Sequence, residues 1–400
     1  MRKRSGTQKA QKSSPRSMVV LHLLRENGPM SRKELAQLAG VSLPTLGKYL
    51  QSFREKGWIA EVTQGVRGAH GRRFFGLNPQ FGPALGVEIG GKTLRWVVAD
   101  LQGNILAFGN EDVAREKALD VLEACVKGVS AQWTLKAVGI ASSGIVEARR
   151  GFSIRSPHRN DLDNVPLREL YEQKFGFPIY VDDVSRSAAF AEWHRGVLRG
   201  ERSFVYLFLD EGIGFSWAAD GSLYYGPVGI SGEIGHCVVE ENGHLCGCGN
   251  RGCLETLAST EAIVQRATQA LQMGVVSSLR GKELSIASIV EEARRGDKLC
   301  YSLITEAGEY IGKAMAQLLN ILGIPLFVLG GELRQAEQLI VEPITRMVRA
   351  NALVSLTAFL DVRVAVLDER AGALGVAMQA LREVLEQVVE GEMMEKAGND

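Results

Sequence analysis

The sequence predicts an α/β protein in which a basic, tri-helical winged module precedes a duplicated two-lobe domain. Three observations carry that prediction. Residues 1–80 hold fifteen Lys and Arg against four acids, a charge of +11, which leaves −11 for residues 81–400 of a chain whose formal net charge is zero. Apolar residues between Ser17 and Ala60 fall at helical spacing in three blocks. Two later segments, 84–108 and 203–224, repeat a single strand–turn–strand–turn plan. At 400 residues, 46% of them apolar and 23% charged, the chain has an ordinary globular composition and is longer than one core usually organises.

Met18, Val19, Leu21, Leu23 and Leu24 make the first helix, which Gly28-Pro29 ends. Ser31 with Glu34 reads as a capping box that opens a second helix, Ser31 to Leu38. A tight turn at Gly40 follows, and Ser42 caps a third helix with Pro44 in its first turn and Leu46, Leu50 and Phe53 as its buried stripe. Ser42 and the outward-facing Thr45 and Lys48 then stand where a helix-turn-helix presents side chains to the major groove. After Gly57-Trp58-Ile59, the segment EVTQGVRGAHGRRFFGLNP reads as two short strands around a glycine-rich loop, a β-wing. Its Arg67, Arg72 and Arg73 suit either a minor groove or phosphate clamping. Concentrated basic charge on a neutral chain is the electrostatic footprint of nucleic-acid binding, so the expected partner of residues 1–80 is DNA.

ALGVEIGGKTLRWVVADLQGNILAF (84–108) and SFVYLFLDEGIGFSWAADGSLY (203–224) each give an apolar strand, an acid-glycine turn, a second strand and a turn at Gly103 or Gly221. Two halves that open with a β-meander and are completed by helices describe the actin-like, ribonuclease H-like fold, whose ligand cleft lies between the lobes. LFVLGGE (326–332) reads as a further buried strand ending in a Gly-Gly turn. No run of about eighteen apolar residues occurs, and MRKRSGTQKAQKSSPR lacks the apolar core of a signal peptide, so a cytoplasmic protein with no membrane partner is expected.

His236, Cys246, Cys248 and Cys253 lie in GEIGHCVVEENGHLCGCGNRGCLE. Four soft ligands separated by glycines have the composition of a closed Cys3His zinc site, and one intervening glycine keeps Cys246 and Cys248 from pairing with each other. A glycine-rich turn that merely holds cysteines is the alternative. Cys125, Cys237 and Cys300 are isolated and read as small core residues.

GEIGH at 232–236 followed by CGCGNRGCLE at 246–255 resembles the signature of the ROK family of repressors, open reading frames and kinases built on a sugar-kinase fold. The resemblance implies zinc held by the His and three Cys, and sugar hydroxyls met by Glu233, His236 and Glu255. A carboxylate pair suits a polyol, because each ionised carboxylate accepts from several hydroxyls. It also implies lobes of roughly 81–195 and 196–370, the second carrying the zinc loop, with a final helix near 371–390 packing back on the first. The winged module over residues 1–80 is similar to that of the family's repressors, which its kinases lack.

VDDVSRSAAFAEW (181–193) matches the family's Asn-Asp-x-Asn segment, which puts Asp183 at the position of the catalytic base and Asp182 in place of the Asn. By the same match His158 stands where the family has a sugar-binding Asn, so His158, Asp182 and Asp183 join the expected sugar contacts. Asp182 reads equally well as an exposed strand-end acid. Ser143 replaces a usual Pro. The phosphate turns depart furthest: Asp-x-Gly-Gly-Thr becomes Glu88-Ile89-Gly90-Gly91-Lys92, and Gly-Thr-Gly becomes Asp210-Glu211-Gly212. Carboxylates in place of donors should weaken ATP binding unless Lys92 and Mg²⁺ compensate. The resemblance therefore implies a sugar-responsive transcriptional regulator, a repressor of carbohydrate-utilisation genes with no catalytic residues in use, acting as a homodimer or tetramer on operator DNA. The alternative it leaves is an ATP-dependent sugar kinase with an appended DNA-binding module.

Overall fold

A computed structural model of the protein describes residues 16–62, 73–114, 117–156 and 159–397. The chain divides into two bodies. One gathers the described residues up to Gly82 with Asp100–Gln102 and the chain from Arg382; the other holds Pro83–Ala99 and Gly103–Leu381.

In the first body, α1 (Arg16–Asn27), α2 (Arg32–Ala39) and α3 (Leu43–Glu55) form the expected three helices. Ser31 and Glu34 make the capping box, with Glu34 Oε2 accepting from Ser31 N at 2.9 Å. Gly40 closes α2 in the left-handed region at φ 63°, where a side chain would be strained. Ser42 caps α3, and Leu46, Leu50 and Phe53 are buried beneath it. Each such side chain contributes roughly 1.5–3 kcal/mol by leaving water. The strands β2 (Ile59–Val62) and β3 (Phe74–Leu77) pair antiparallel, as a wing requires. A two-residue strand, β1 (Met30–Ser31), pairs with the other side of β3, a feature the helical spacing gave no sign of. It forms because Ser31, as an N-cap, is already extended at φ −75°, ψ 157°.

The second body contains two sheets of one design. In the first lobe, β4 (Ala84–Ile89), β5 (Thr93–Ala99), β6 (Ile105–Asp112), β7 (Ala137–Ser142) and β10 (Ile179–Asp183) align as β10-β7-β4-β5-β6. A hairpin of β8 (Ile145–Glu147) and β9 (Phe152–Arg155) follows β7, and the helices are α4 (Ala118–Ser130), α5 (Leu167–Phe175) and α6 (Val184–Arg195). In the second lobe, β11 (Phe204–Leu209), β12 (Ile213–Ala219), β13 (Ser222–Leu223), β14 (Leu326–Gly330) and β15 (Asp361–Val364) align as β13-β12-β11-β14-β15. Each sheet is a meander of antiparallel strands whose first strand then pairs parallel with the fourth. This is the duplicated actin-like, sugar-kinase fold. Helices α7 (Glu255–Ala258), α8 (Thr260–Gln272), α9 (Ile286–Arg294), α10 (Lys298–Leu322), α11 (Glu337–Asn351) and α12 (Val354–Thr357) complete the second lobe.

The last helix, α13 (Ala371–Ala397), runs against the first sheet so closely that glycine is required beneath it. A Cβ on Gly86 of β4 would stand 1.9 Å from Ala373 O, and one on Gly139 of β7 would stand 2.3 Å from Val376 O. Packing on the first lobe is what the sequence implied. The difference is its length, since from Arg382 onward the helix groups with the N-terminal body rather than with the lobe. Among the described residues, no helix is long and apolar enough to cross a membrane.

Candidate functional site

Beyond β13 the chain leaves the sheet, makes a 3-10 turn at Ile234–His236 and folds a loop back to α7. Backbone bonds from Cys246 N to Asn250 O and from Leu254 N to Cys237 O fasten that loop at both ends. His236, Cys246, Cys248 and Cys253 thereby bring one ligand atom each within 4.8 Å of one another. Cys248 Sγ and Cys253 Sγ are 3.7 Å apart, and Cys246 Sγ is 3.5 Å from His236 Nδ1. An ion with bonds of about 2.3 Å to sulfur and about 2.0 Å to nitrogen sets tetrahedral edges of about 3.7 and 3.5 Å, so these residues fit one. Burial and the neighbouring Cys246 and Cys248 push the Cys253 thiol up to about 12, a cost that a divalent cation reverses. Cys125, Cys237 and Cys300 are not members of the cluster; Cys300 is buried as a core residue should be, whereas Cys125 is half-buried and Cys237 exposed, contrary to the core reading.

The same loop forms one wall of the cleft between the lobes, where His236, Gly247 and Cys248 face Ser142, Ser143 and Arg155 of the first lobe. Arg155 Nη2 donates to Gly247 O at 3.3 Å, so the backbone between two of the clustered cysteines is held by the opposite lobe. Asp183, Glu233 and Glu255 also line the cleft. Asp183 is the N-cap of α6; its Oδ1 accepts from Ser185 Oγ at 2.5 Å and from Arg186 N at 2.9 Å. Glu255 opens α7 and accepts from Ile213 N at 3.1 Å. Glu233 reaches the cleft mouth; desolvation first, then the Asp183 charge, raises its carboxyl to about 7. His236 carries Nδ1 on the thiol side, leaving Nε2 as its nitrogen for a ligand.

Asp182 departs from the expectation of a sugar contact. It is fully buried and takes bonds from Arg186 Nε (2.6 Å), Tyr180 Oη (3.1 Å), Tyr225 Oη (3.3 Å) and Gln379 Nε2 (2.9 Å). Successive residues of a strand point to opposite faces, so Asp183 facing the cleft turns Asp182 away from it. The residue that sequence reasoning missed is Arg186, only 1% exposed, which pairs with Asp182 and lies 2.5 Å from Asp183 Oδ2. Its place one helical turn beyond two adjacent acids was the available signal. Ser143, in place of the family's usual Pro, lines the cleft, and its buried Oγ has no hydrogen-bond partner among the described residues. His158 lies outside the described residues.

The far half of the cleft is acidic. Glu88, Asp210, Glu211 and Glu332 line it together with Arg95. Glu88 is 3% exposed and sits opposite Arg95 in the β4–β5 register, with Arg95 Nη1 donating to it at 2.8 Å. Desolvation still outweighs that partner and pushes Glu88 up to about 7; Asp210 is raised by burial as well. Lys92, the cation that the alternative reading needs for compensation, is exposed and is not among the residues of this lining.

In the N-terminal body Ser42 and Lys48 are exposed at the start of α3, while Thr45 is half-buried with Oγ1 2.8 Å from Ser42 Oγ. Arg73 is exposed and weakly paired with Glu61 at 3.5 Å. Arg67 and Arg72 lie outside the described residues.

Residues 84–383 match the ROK family, and residues 17–60 match a winged helix-turn-helix DNA-binding family. The xylose repressor of Caldicellulosiruptor bescii is 26% identical over 385 residues, covering 92% of this chain and 96% of that protein. A solved ROK family transcriptional regulator, a homologue of the Escherichia coli Mlc protein, superposes with a TM-score of 0.81 at 25% identity, covering 93% of this chain and 97% of its own. A ROK family glucokinase from Streptomyces griseus, solved in complex with glucose and AMPPNP, superposes at 0.68 with 28% identity over 75% of this chain and 100% of that one. The chain belongs to the ROK family, and the winged helix-turn-helix ahead of its ROK domain makes it one of that family's transcriptional regulators.

Proposed function

We propose that the interlobe cleft binds a sugar effector without phosphorylating it, and that occupancy changes the affinity of the winged module for operator DNA. Asp183, Glu233 and Glu255 accept from sugar hydroxyls, and His236 Nε2 adds a contact from the loop. Zinc held by His236, Cys246, Cys248 and Cys253 fixes that loop, so the ion positions two of the contacts, His236 and Glu255, without touching the ligand. Ser42, Thr45, Lys48 and Arg73, with Arg67 and Arg72, are the proposed DNA contacts, Lys48 and Thr45 toward base edges and the arginines toward phosphate. A dimer that presents two such modules to operator half-sites is the assembly this reading calls for. Relatives of similar length named as a xylose repressor and an N-acetylglucosamine repressor support repression as the sign of control.

The asymmetry of the cleft carries this reading. Its sugar end offers fixed acceptors, whereas its far end offers carboxylates where a triphosphate needs donors. At an effective dielectric near 20, each carboxylate about 4 Å from a phosphate opposes binding by roughly 4 kcal/mol. The glucokinase likeness over three quarters of the chain favours the rival reading, a sugar kinase with an appended DNA-binding module. Coupled ADP-release assays over a panel of mono- and amino sugars separate the two. The regulator reading expects no turnover above background alongside saturable binding of at least one sugar; turnover of about 1 s⁻¹ or more establishes the kinase.

A further inference from the structure

Beneath the β4–β5 turn lies Arg159, fully buried, whose guanidinium donates to three backbone carbonyls: Gly90 O at 2.9 Å, Ala114 O at 2.7 Å and Val113 O at 3.2 Å. The C=O of Gly90 and the N–H of Gly91 share one peptide plane and point in opposite directions. With the carbonyl anchored on Arg159, the Gly91 N–H is aimed away from it. The Gly90 N–H is bonded to Thr93 O, so the Gly91 N–H, with no Cβ beside it and a cation behind the same peptide, is the amide of this turn that an anion can approach. The turn already meets an anion of the protein's own. A Cβ on Gly91 would stand 1.9 Å from Glu211 Oε2 and 2.9 Å from Glu211 Cδ, so the Glu211 carboxylate from the second lobe rests against this glycine of the first.

We infer that Glu211 stands where the cleft would hold a phosphate group, and that it thereby restricts the cleft to unphosphorylated ligands. Two effects act together. The carboxylate fills the space over Gly91, and its charge, beside Asp210 and Glu88, repels a second anion. Arg159 holds the turn in place for the contact through its bond to Gly90 O. The ligand class that follows is a neutral or amino sugar rather than a phosphosugar. That last step rests on reading the cleft as an effector site; the role of Glu211 toward phosphate does not.

The test measures binding of AMP-PNP with Mg²⁺, and of adenosine as a control, to the full-length chain by calorimetry. Wild type should show no saturable AMP-PNP binding at millimolar concentration. Glu211→Ala should gain affinity by about tenfold or more, since it removes both volume and charge, and Glu211→Gln should gain less in the same direction. Glu332→Gln removes one nearby negative charge away from Gly91 and should gain little, and adenosine should be unaffected throughout. Should Glu211→Ala misfold, as a melting curve would show, Glu211→Gln decides alone. No gain in the folded Glu211 variants, an equal gain in Glu332→Gln, or a matching gain for adenosine overturns the inference. Failure of the effector reading looks different: no sugar binds to wild type, whatever AMP-PNP does.

Discussion

The two ends of the cleft draw on the same two lobes, yet they offer a ligand different chemistry. At the sugar end Asp183 is held by Ser185 and Arg186, and Glu255 by the Ile213 amide. At the far end Glu88, Asp210, Glu211 and Glu332 converge with Arg95 as the cation among them. Both ends draw on both lobes, so the strand order that the two sheets share does not account for the difference. It resides in the side chains that the cleft-lining segments carry. A fold of this kind can therefore preserve the geometry that recognises a ligand while losing the donors that a phosphoryl transfer demands.

The largest expected effect concerns the wall of the sugar end. Purified protein should carry about one zinc per chain, and Cys248→Ser should lose the metal and with it the sugar response, because the loop positioning His236 and Glu255 is no longer closed. Stoichiometric zinc in the mutant, measured by elemental analysis, would remove the cluster from the account. Next comes Arg186→Met, which strands Asp182 and Asp183 without their cation and should cost about 3–5 kcal/mol in unfolding free energy. Arg186→Lys keeps the charge but cannot reach both acids as a fork, so partial recovery is expected. Full stability in Arg186→Met would mean that the ion pair does not organise this end.

A smaller effect should appear at the acidic end as a pH dependence. Burial raises Glu88 from an ordinary 4.5 to about 7, with Arg95 opposing and Asp210 adding to the shift. The folded chain then holds protons that the unfolded chain has released between about pH 4.5 and 7, so this group's contribution falls as pH rises through that window. Melting temperatures from pH 5 to 8 should decline with pH in wild type and less steeply in Glu88→Gln. An unchanged slope in the mutant would locate the titration elsewhere.

Much of this was legible in the sequence because it is local. Ser31, Glu34 and Ser42 announce their helices by capping chemistry that involves neighbours three residues away, and the glycine-separated cysteines announce a ligand cluster. The repeated meander announced two lobes. Asp182 was misplaced because an alternating strand gives two faces, and one sequence does not say which face meets the cleft. The grouping of α13 from Arg382 onward with the N-terminal body has no local signal, since Arg25 there is buried beside the Arg382 and Glu386 charges more than 350 residues on. The contact between Glu211 and Gly91 joins turns of different lobes, and no spacing rule connects them.

The coupling between cleft and DNA is the central claim, and operator affinity with and without a bound sugar tests it most directly, in wild type and in Glu255→Ala. Glu255 lies in the cleft and not in the DNA-binding module, so the mutant should bind operator like wild type in the absence of sugar, with an unchanged melting temperature. A ligand moves an equilibrium only through its differential affinity for the two states, so saturating sugar should shift operator affinity of wild type and leave the mutant unmoved. Operator affinity that stays constant in wild type at saturating sugar, or that responds equally in Glu255→Ala, contradicts the account.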